Sequence, residues 1–398
     1  MTNSATNNPP SGPLVGLKVI DFSSFIAGGH AAMTLGDYGA DIIKVESLTG
    51  DASRGWGPHV AGESRPFQGW NRNKRSIALN LKTESGLEII YRLLRTADVV
   101  VENYRPGITT RLKIDYDSVR AVNPEVIYCS ISGFGSKGPD GKRPGYDPLL
   151  QALSGTARAN GWSLGKAAIS SVAVSDYGAS LLSIGGILAA LYHRERTGQG
   201  QRLETSLLQA VMTVQSSAFC KPLDEVEEET PPGIFPYTFF ETKDSKIFIA
   251  GGTDKFWQLF CRAIGADELA DDPDYHINTN RVPHAAELTE RILPYLRQKT
   301  TVEWEAILLA EAIPCAGVRT FDEFFLDPQV EAMDMNPVIR HGKIGRMRVS
   351  GVPIHFSETP GAIQRAAPMH SEHADAILTD LGYDRGEIDK FRTDEIVK

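Results

Sequence analysis

Asp176 is the residue most able to do chemistry. It lies in Ser170-Ser171-Val172-Ala173-Val174-Ser175-Asp176-Tyr177-Gly178-Ala179-Ser180, a single carboxylate among apolar and small side chains. A small-residue helix is expected to follow it, from Gly178 to Leu191, ending at Arg196-Thr197-Gly198. Backbone N–H groups and the positive end of that helix dipole can hold a carboxylate there as the ionised nucleophile of a covalent reaction. The plainer reading is an Asp that merely caps the helix.

Two basic runs border expected strands, the first as a turn just before a strand and the second at the close of one. One is Asn71-Arg72-Asn73-Lys74-Arg75-Ser76; the other is Glu102-Asn103-Tyr104-Arg105-Pro106-Gly107, with Arg111 a turn further on. Cations at the carboxyl ends of strands can hold phosphates in an open α/β sheet, and either run alone is equally a solvated turn. Gly133-Phe134-Gly135 and Gly145-Tyr146-Asp147-Pro148 flank a Lys/Gly/Pro-rich loop of the kind that carries sites. The turn after the first strand, Ser23 to His30, lacks GxGxxG, so Glu46 at the end of the second strand is weak support for a dehydrogenase. No GxSxG elbow, P-loop or metal-ligating cluster is legible.

The elements that must position these residues alternate. Strands are expected at Leu17–Phe22, Asp41–Glu46, Asp98–Glu102, Glu125–Ser130 and Arg202–Ser206. Helices are expected at Ala31–Tyr38, from Thr83 to Arg95, and from Gly178. Short apolar strands spaced by helices imply a parallel sheet covered on both faces. Leu223 to Pro232, acid-rich and ending in two prolines, reads as a linker. Beyond it a hairpin, Tyr237–Glu241 with Lys246–Ala250, and helices at Lys255–Ile264, Ala285–Gln298 and Val302–Ala312 describe a smaller α+β domain. The last helix runs from Ser371 to Leu381 and is closed by Gly382.

The chain has 398 residues, long for one core, and its 41% hydrophobic and 23% charged content is that of a soluble enzyme. A net charge of −9 argues against nucleic-acid binding. Cys129, Cys220, Cys261 and Cys315 are far apart and read as reduced thiols of a cytoplasmic protein. No apolar stretch reaches the roughly 20 residues that span a bilayer. Met1 to Pro13 reads as a disordered lead-in.

As a set, these runs resemble the class III CoA-transferase family, which also contains the α-methylacyl-CoA racemases. The matching stretches are Gly16 to Phe22, Gly39 to Glu46, Asn73 to Ser76, Val101 to Gly107, Ser132 to Gly135, Tyr146-Asp147 with Gln151 to Gly155, Thr197 to Gln201, and Ile313 to Val318. The resemblance implies a Rossmann-like large domain built from residues 1–222 and a returning segment, 327–398, with a small domain at 223–326 between them. It implies an interlocked homodimer and no tightly bound cofactor, coenzyme A and acyl-CoA being substrates. The catalytic aspartate falls on Asp176. CoA is expected against Phe25, Ile26, Ala27, Lys74, Asn103, Tyr104 and Arg111, with Arg72, Arg75, Arg105 and Tyr146 completing the set.

Two departures bear on the activity. The racemases carry a His base where this chain has Tyr146, and a phenol of pKa about 10 is a poor base near neutrality. Transfer is therefore expected over racemisation, with an α-methylacyl-CoA epimerase as the alternative and a non-catalytic CoA-binding protein as the third reading. Ile26 replaces a polar residue of the formyl/oxalate subgroup, and only Gly251-Gly252 stands where that subgroup has a longer glycine run, which argues against oxalate as acceptor.

Overall fold

A computed structural model describes residues 11–161, 165–220, 222–224 and 233–398. The expected lead-in at residues 1–10, and most of the expected linker at 225–232, lie outside the described residues. By internal contacts the chain divides into two units, Met1–Cys220 with Glu331–Lys398, and Lys221–Val330.

The first unit is built on six strands: β1 (Lys18–Asp21), β2 (Asp41–Glu46), β3 (Lys74–Ala78), β4 (Val99–Glu102), β5 (Ile127–Ser132) and β6 (Gln201–Ser206). All are parallel, in the order β3-β2-β1-β4-β5-β6. This is the doubly wound order, whose direction of growth reverses between β1 and β4.

Side chains alternate across the sheet and feed two cores. Ile20, Ile43, Val100 and Tyr128 point to one face, under α2 (Glu84–Leu94) and the C-terminal helices Ala374–Asp380 and Arg385–Thr393. Val19, Ile42, Val99, Val101, Ile127 and Cys129 point to the other. That face is covered by α1 (Phe25–Asp37), α3 (Asp147–Leu153), α4 (Val174–Thr197) and α5 (Leu207–Val214). Strands buried on both faces need apolar residues at consecutive positions, which is why Val99-Val100-Val101 reads as a run rather than an alternation.

Two helices begin earlier than their apolar pattern predicts. α1 starts at Phe25, six residues before the expected Ala31, and runs through Gly28 and Gly29. A Cβ on Gly28 would lie 2.3 Å from the Ser23 side chain, and one on Gly29 would lie 2.9 Å from Trp70. These glycines are packing requirements inside a helix rather than a break before it. α4 starts at Val174, so Asp176 lies within its first turn, and the cap position belongs to Ala173, which makes no side-chain cap bond. The capping reading of Asp176 is thereby overturned.

At 24 residues, α4 is also long and apolar enough to cross a membrane by length and composition, which corrects the expectation that no stretch is. Half of its apolar window is buried within the fold. Its hydropathy comes from Ala, Leu and Ile: Ala179, Ile184, Ile187, Ala190 and Leu191 are buried within the fold, whereas Leu181 is exposed.

In the second unit Tyr237–Glu241 and Lys246–Ala250 pair antiparallel as expected, and Cys315–Gly317 adds a third strand. Helices Asp254–Ile264, Ala285–Leu296 and Thr301–Ala310 close a core around Trp257, Phe260, Leu288 and Trp304.

Candidate active site

The crevice opens where the winding reverses. A cavity of about 270 Å³ lies beyond the carboxyl ends of β1, β4 and β5. Its walls are Ser24, Phe25, Ile26 and Ala27 after β1, Asn103 to Pro106 after β4, and Ile131 to Gly133 at the end of β5. Gly141, the Arg143 to Tyr146 stretch, Leu207, Trp56 and Asp176 complete it. The expected residues Phe25, Ile26, Ala27, Asn103, Tyr104, Arg105, Tyr146 and Asp176 therefore share one cavity.

Each wall has a local cause. Asn103 clamps the turn entering α1: its Oδ1 accepts from Ser24 N at 2.8 Å and its Nδ2 donates to Ser24 O at 2.6 Å. Phe25 is held at φ 62°, a left-handed conformation that a bulky side chain adopts at a cost. Its ring meets Trp56 at 4.8 Å and Tyr146 at 6.4 Å, so three aromatics gather at the cavity. Gly133 and Gly145 touch backbone to backbone; a Cβ on Gly133 would lie 2.7 Å from Gly145 Cα. That contact brings the Arg143–Tyr146 loop onto the end of β5. The N–H of Gly135 is bonded to Ser132 Oγ at 3.0 Å, and of the Gly133-Phe134-Gly135 run only Gly133 lines the cavity.

Asp176 and Asp147 are opposites. Asp147 is fully satisfied: it accepts from Ser175 N at 2.7 Å, Ser175 Oγ at 2.8 Å and Gln151 Nε2 at 2.6 Å. Asp176, one residue from Ser175, makes no hydrogen bond or ion pair through its carboxylate among the described residues. Burial pushes its pKa up to about 7, and the neighbouring charge of Asp147 adds to the rise. A carboxylate that is poorly solvated, unpaired and open to a cavity is basic for its type and reactive toward an electrophilic carbon.

The remaining expected ligands lie elsewhere. Arg72 forks onto Asp37 at 2.9 and 2.7 Å. Lys74 is fully buried, donating to Asp21, Gly29 O and Asn71 at 2.8 Å each. Arg75 bonds Asp41 at 3.0 and 2.6 Å and Asp380 at 2.9 Å. Their positive charge is spent on carboxylates of the fold, because this run continues into β3, whose residues the sheet largely buries. Arg111 is exposed at the end of the short helix Ile108–Arg111, outside the cavity. Sequence reasoning missed Trp56 and Arg143. Arg143 lines the cavity with its guanidinium 4.9 Å from the Phe134 ring and bonded to Asp140 at 3.1 Å; its neighbours in a Lys/Gly/Pro loop were the available signal.

With this geometry in place, similarity to known proteins becomes informative. The profile of CoA-transferase family III matches residues 14–374. A succinate–glutarate CoA-transferase of Agrobacterium fabrum is 35% identical over 403 residues, covering 96% of this chain and 98% of that protein. The succinyl-CoA:glutarate CoA-transferase of Mus musculus is 32% identical, covering 97% of this chain and 90% of that one. The crystal structure of a CAIB/BAIF family protein from Brucella suis superposes with a TM-score of 0.84 at 34% identity, over 93% of this chain and 100% of that one. Matched across nearly its whole length, the chain belongs to CoA-transferase family III and is a CoA-transferase.

Proposed function

We propose that this enzyme moves CoA from a short acyl-CoA, succinyl-CoA foremost, to a dicarboxylic acid of the glutarate type, through covalent intermediates on Asp176. The observation that carries the reading is the unpaired Asp176 carboxylate facing a cavity at the sheet's switch point. The names of the relatives support the choice of donor and acceptor.

Asp176 attacks the thioester carbonyl; the C–S bond breaks and a mixed anhydride forms as CoA thiolate leaves. A thiol pKa of about 8.5 makes the thiolate a competent leaving group. The thiolate then attacks the Asp176 carboxyl carbon, releasing the donor acid and leaving an aspartyl-CoA thioester. The acceptor carboxylate attacks this thioester, expelling thiolate and forming a second anhydride. Thiolate takes the acceptor acyl group, and Asp176 is restored. No proton or water enters the sum, so exclusion of water protects both anhydrides. Phe25, Trp56 and Tyr146 give the cavity an apolar wall suited to that task. Arg105 and Arg143 are its cations and are assigned to the anionic parts of the substrates.

A second copy of the chain is the proposed partner. Leu181 and Tyr192 on α4 are 63% and 66% exposed, a degree of apolar exposure that association relieves.

The experiment is product analysis by mass spectrometry with succinyl-CoA, acetyl-CoA and longer acyl-CoAs against a panel of free acids. A new acyl-CoA is expected only when donor and acid are both present, and only with Asp176 intact. Full transfer by Asp176→Ala would sink the assignment.

A further inference from the structure

Asp176 and the cavity wall formed by α1 are joined one turn below the cavity. Ile26 and Asp176 both line it, each within the first turn of its helix. Four residues on, and so on the same face one turn deeper, are His30 on α1 and Ser180 on α4. These two are hydrogen bonded, His30 Nδ1 to Ser180 Oγ at 2.8 Å. Tyr177, the residue after Asp176, meets the same imidazole edge-on at 5.1 Å. Ser180 is wholly buried and His30 half-buried.

Small buried residues flank the pair on both helices, Ala27 and Gly28 on α1 and Gly178 and Ala179 on α4, with Gly28 turned toward Ser23 and Val101 and Gly178 toward Ala210 of α5. Small side chains allow close approach but leave the helices free to slide. A buried polar pair fixes one register, because any slip leaves a buried hydroxyl or ring nitrogen without a partner. The imidazole adds no charge near the carboxylate. Burial holds its pKa down to about 4, and the buried Arg72 and Lys74 add to the depression.

We infer that His30 is a positioning residue for the transfer reaction: its bond to Ser180 sets the register of α4 against α1 and so holds Asp176 at attack distance from a thioester lying against Ile26 and Ala27. This rests on Asp176 being the nucleophile. An error near 1 Å in placing a reacting group costs on the order of 100-fold in rate, so a tie that removes part of that freedom acts on turnover rather than on affinity.

The test uses the full-length enzyme and the donor–acceptor pair it accepts, succinyl-CoA with glutarate first. His30→Ala, His30→Asn, Ser180→Ala, the His30→Ala/Ser180→Ala double variant and Asp176→Ala are compared by kcat, by KM for the acyl-CoA and by thermal unfolding. His30→Ala and Ser180→Ala are each expected to lower kcat by about 10-fold with KM changed less than about twofold. The double variant should lose no more than the worse single, since both remove one bond. His30→Asn, which keeps a polar group near the Nδ1 position, should recover kcat to within about threefold of the parent. Should His30→Ala not fold, Ser180→Ala and His30→Asn still decide the matter. Unchanged kcat in the foldable variants beside an inactive Asp176→Ala overturns the positioning role alone. So does a rise in KM at constant kcat, or additive losses in the double variant. An active Asp176→Ala removes the nucleophile, and this inference with it.

Discussion

Asp147 Oδ1 accepts a hydrogen bond from the backbone N–H of Ser175 at 2.7 Å, and thereby anchors the first turn of the helix that carries Asp176. One carboxylate takes the donors at the helix start and the other is left without any. The pair divides the labour of a helix N-terminus: Asp147 is the structural carboxylate, stabilised by the bonds it accepts, and Asp176 is the one proposed to react.

The pH dependence of kcat/KM follows. The proposed attack requires ionised Asp176, so activity should rise with pH across the acid limb and level off above the folded-state pKa of about 7. Asp147→Asn keeps a side-chain oxygen for Ser175 N while removing the neighbouring charge. The acid limb is then expected to move to lower pH, by up to about one unit. An unmoved limb would show that burial alone tunes Asp176.

Stability should respond in the opposite sense. The pKa of Asp176 is raised in the folded state above the ordinary 3.8, so the folded form binds its proton more tightly and loses stability as pH rises from about 4 to about 7. Asp176→Asn stays neutral throughout. It should be more stable than the parent at pH 8, by about 1–2 kcal/mol after allowance for solvent screening, and equal to it below pH 4. Urea unfolding at the two pH values measures the gap, and no gap at pH 8 refutes a strained carboxylate.

Lys74 and Arg143 separate fold from function. Lys74→Ala strands buried Asp21 and should cost about 3–5 kcal/mol of stability. Arg143→Ala removes a contact at the edge of one core, over the Phe134 ring, but no buried ion pair, and should instead raise KM for the acyl-CoA by about 10-fold with little change in the melting temperature. Thermal unfolding beside steady-state kinetics reads both; a Lys74 variant that folds normally but binds acyl-CoA poorly would restore the phosphate role expected from sequence.

Association is tested at Leu181. Leu181→Arg places a charge on the exposed apolar face of α4 and is expected to turn a dimer into a monomer by light scattering. A parent that is already monomeric would leave the α4 face unexplained by self-association.

Much of this organisation is legible in the sequence. Thr83 caps its helix through Gly86 N at 3.1 Å, and β2 and the Tyr237–Glu241/Lys246–Ala250 hairpin run over the residues their patterns indicate, because local propensity and burial agree there. Asp176 stands out because its neighbours are small and apolar. What is hidden is tertiary. Gly28 and Gly29 look like a break until Ser23 and Trp70 are packed against them. Arg72, Lys74 and Arg75 look like phosphate ligands until Asp37, Asp21 and Asp41, distant in sequence, arrive beside them. Trp56 reaches the cavity beside Phe25, with the rings 4.8 Å apart, a placement no local pattern encodes.

The covalent role of Asp176 is tested most directly by peptide-level mass spectrometry of enzyme mixed with donor acyl-CoA alone and quenched rapidly. An adduct of CoA less water on the Asp176 peptide is expected, formed without acceptor and discharged when acceptor acid is added. Transfer at full rate with that peptide never modified, or with the adduct on another residue, would contradict it.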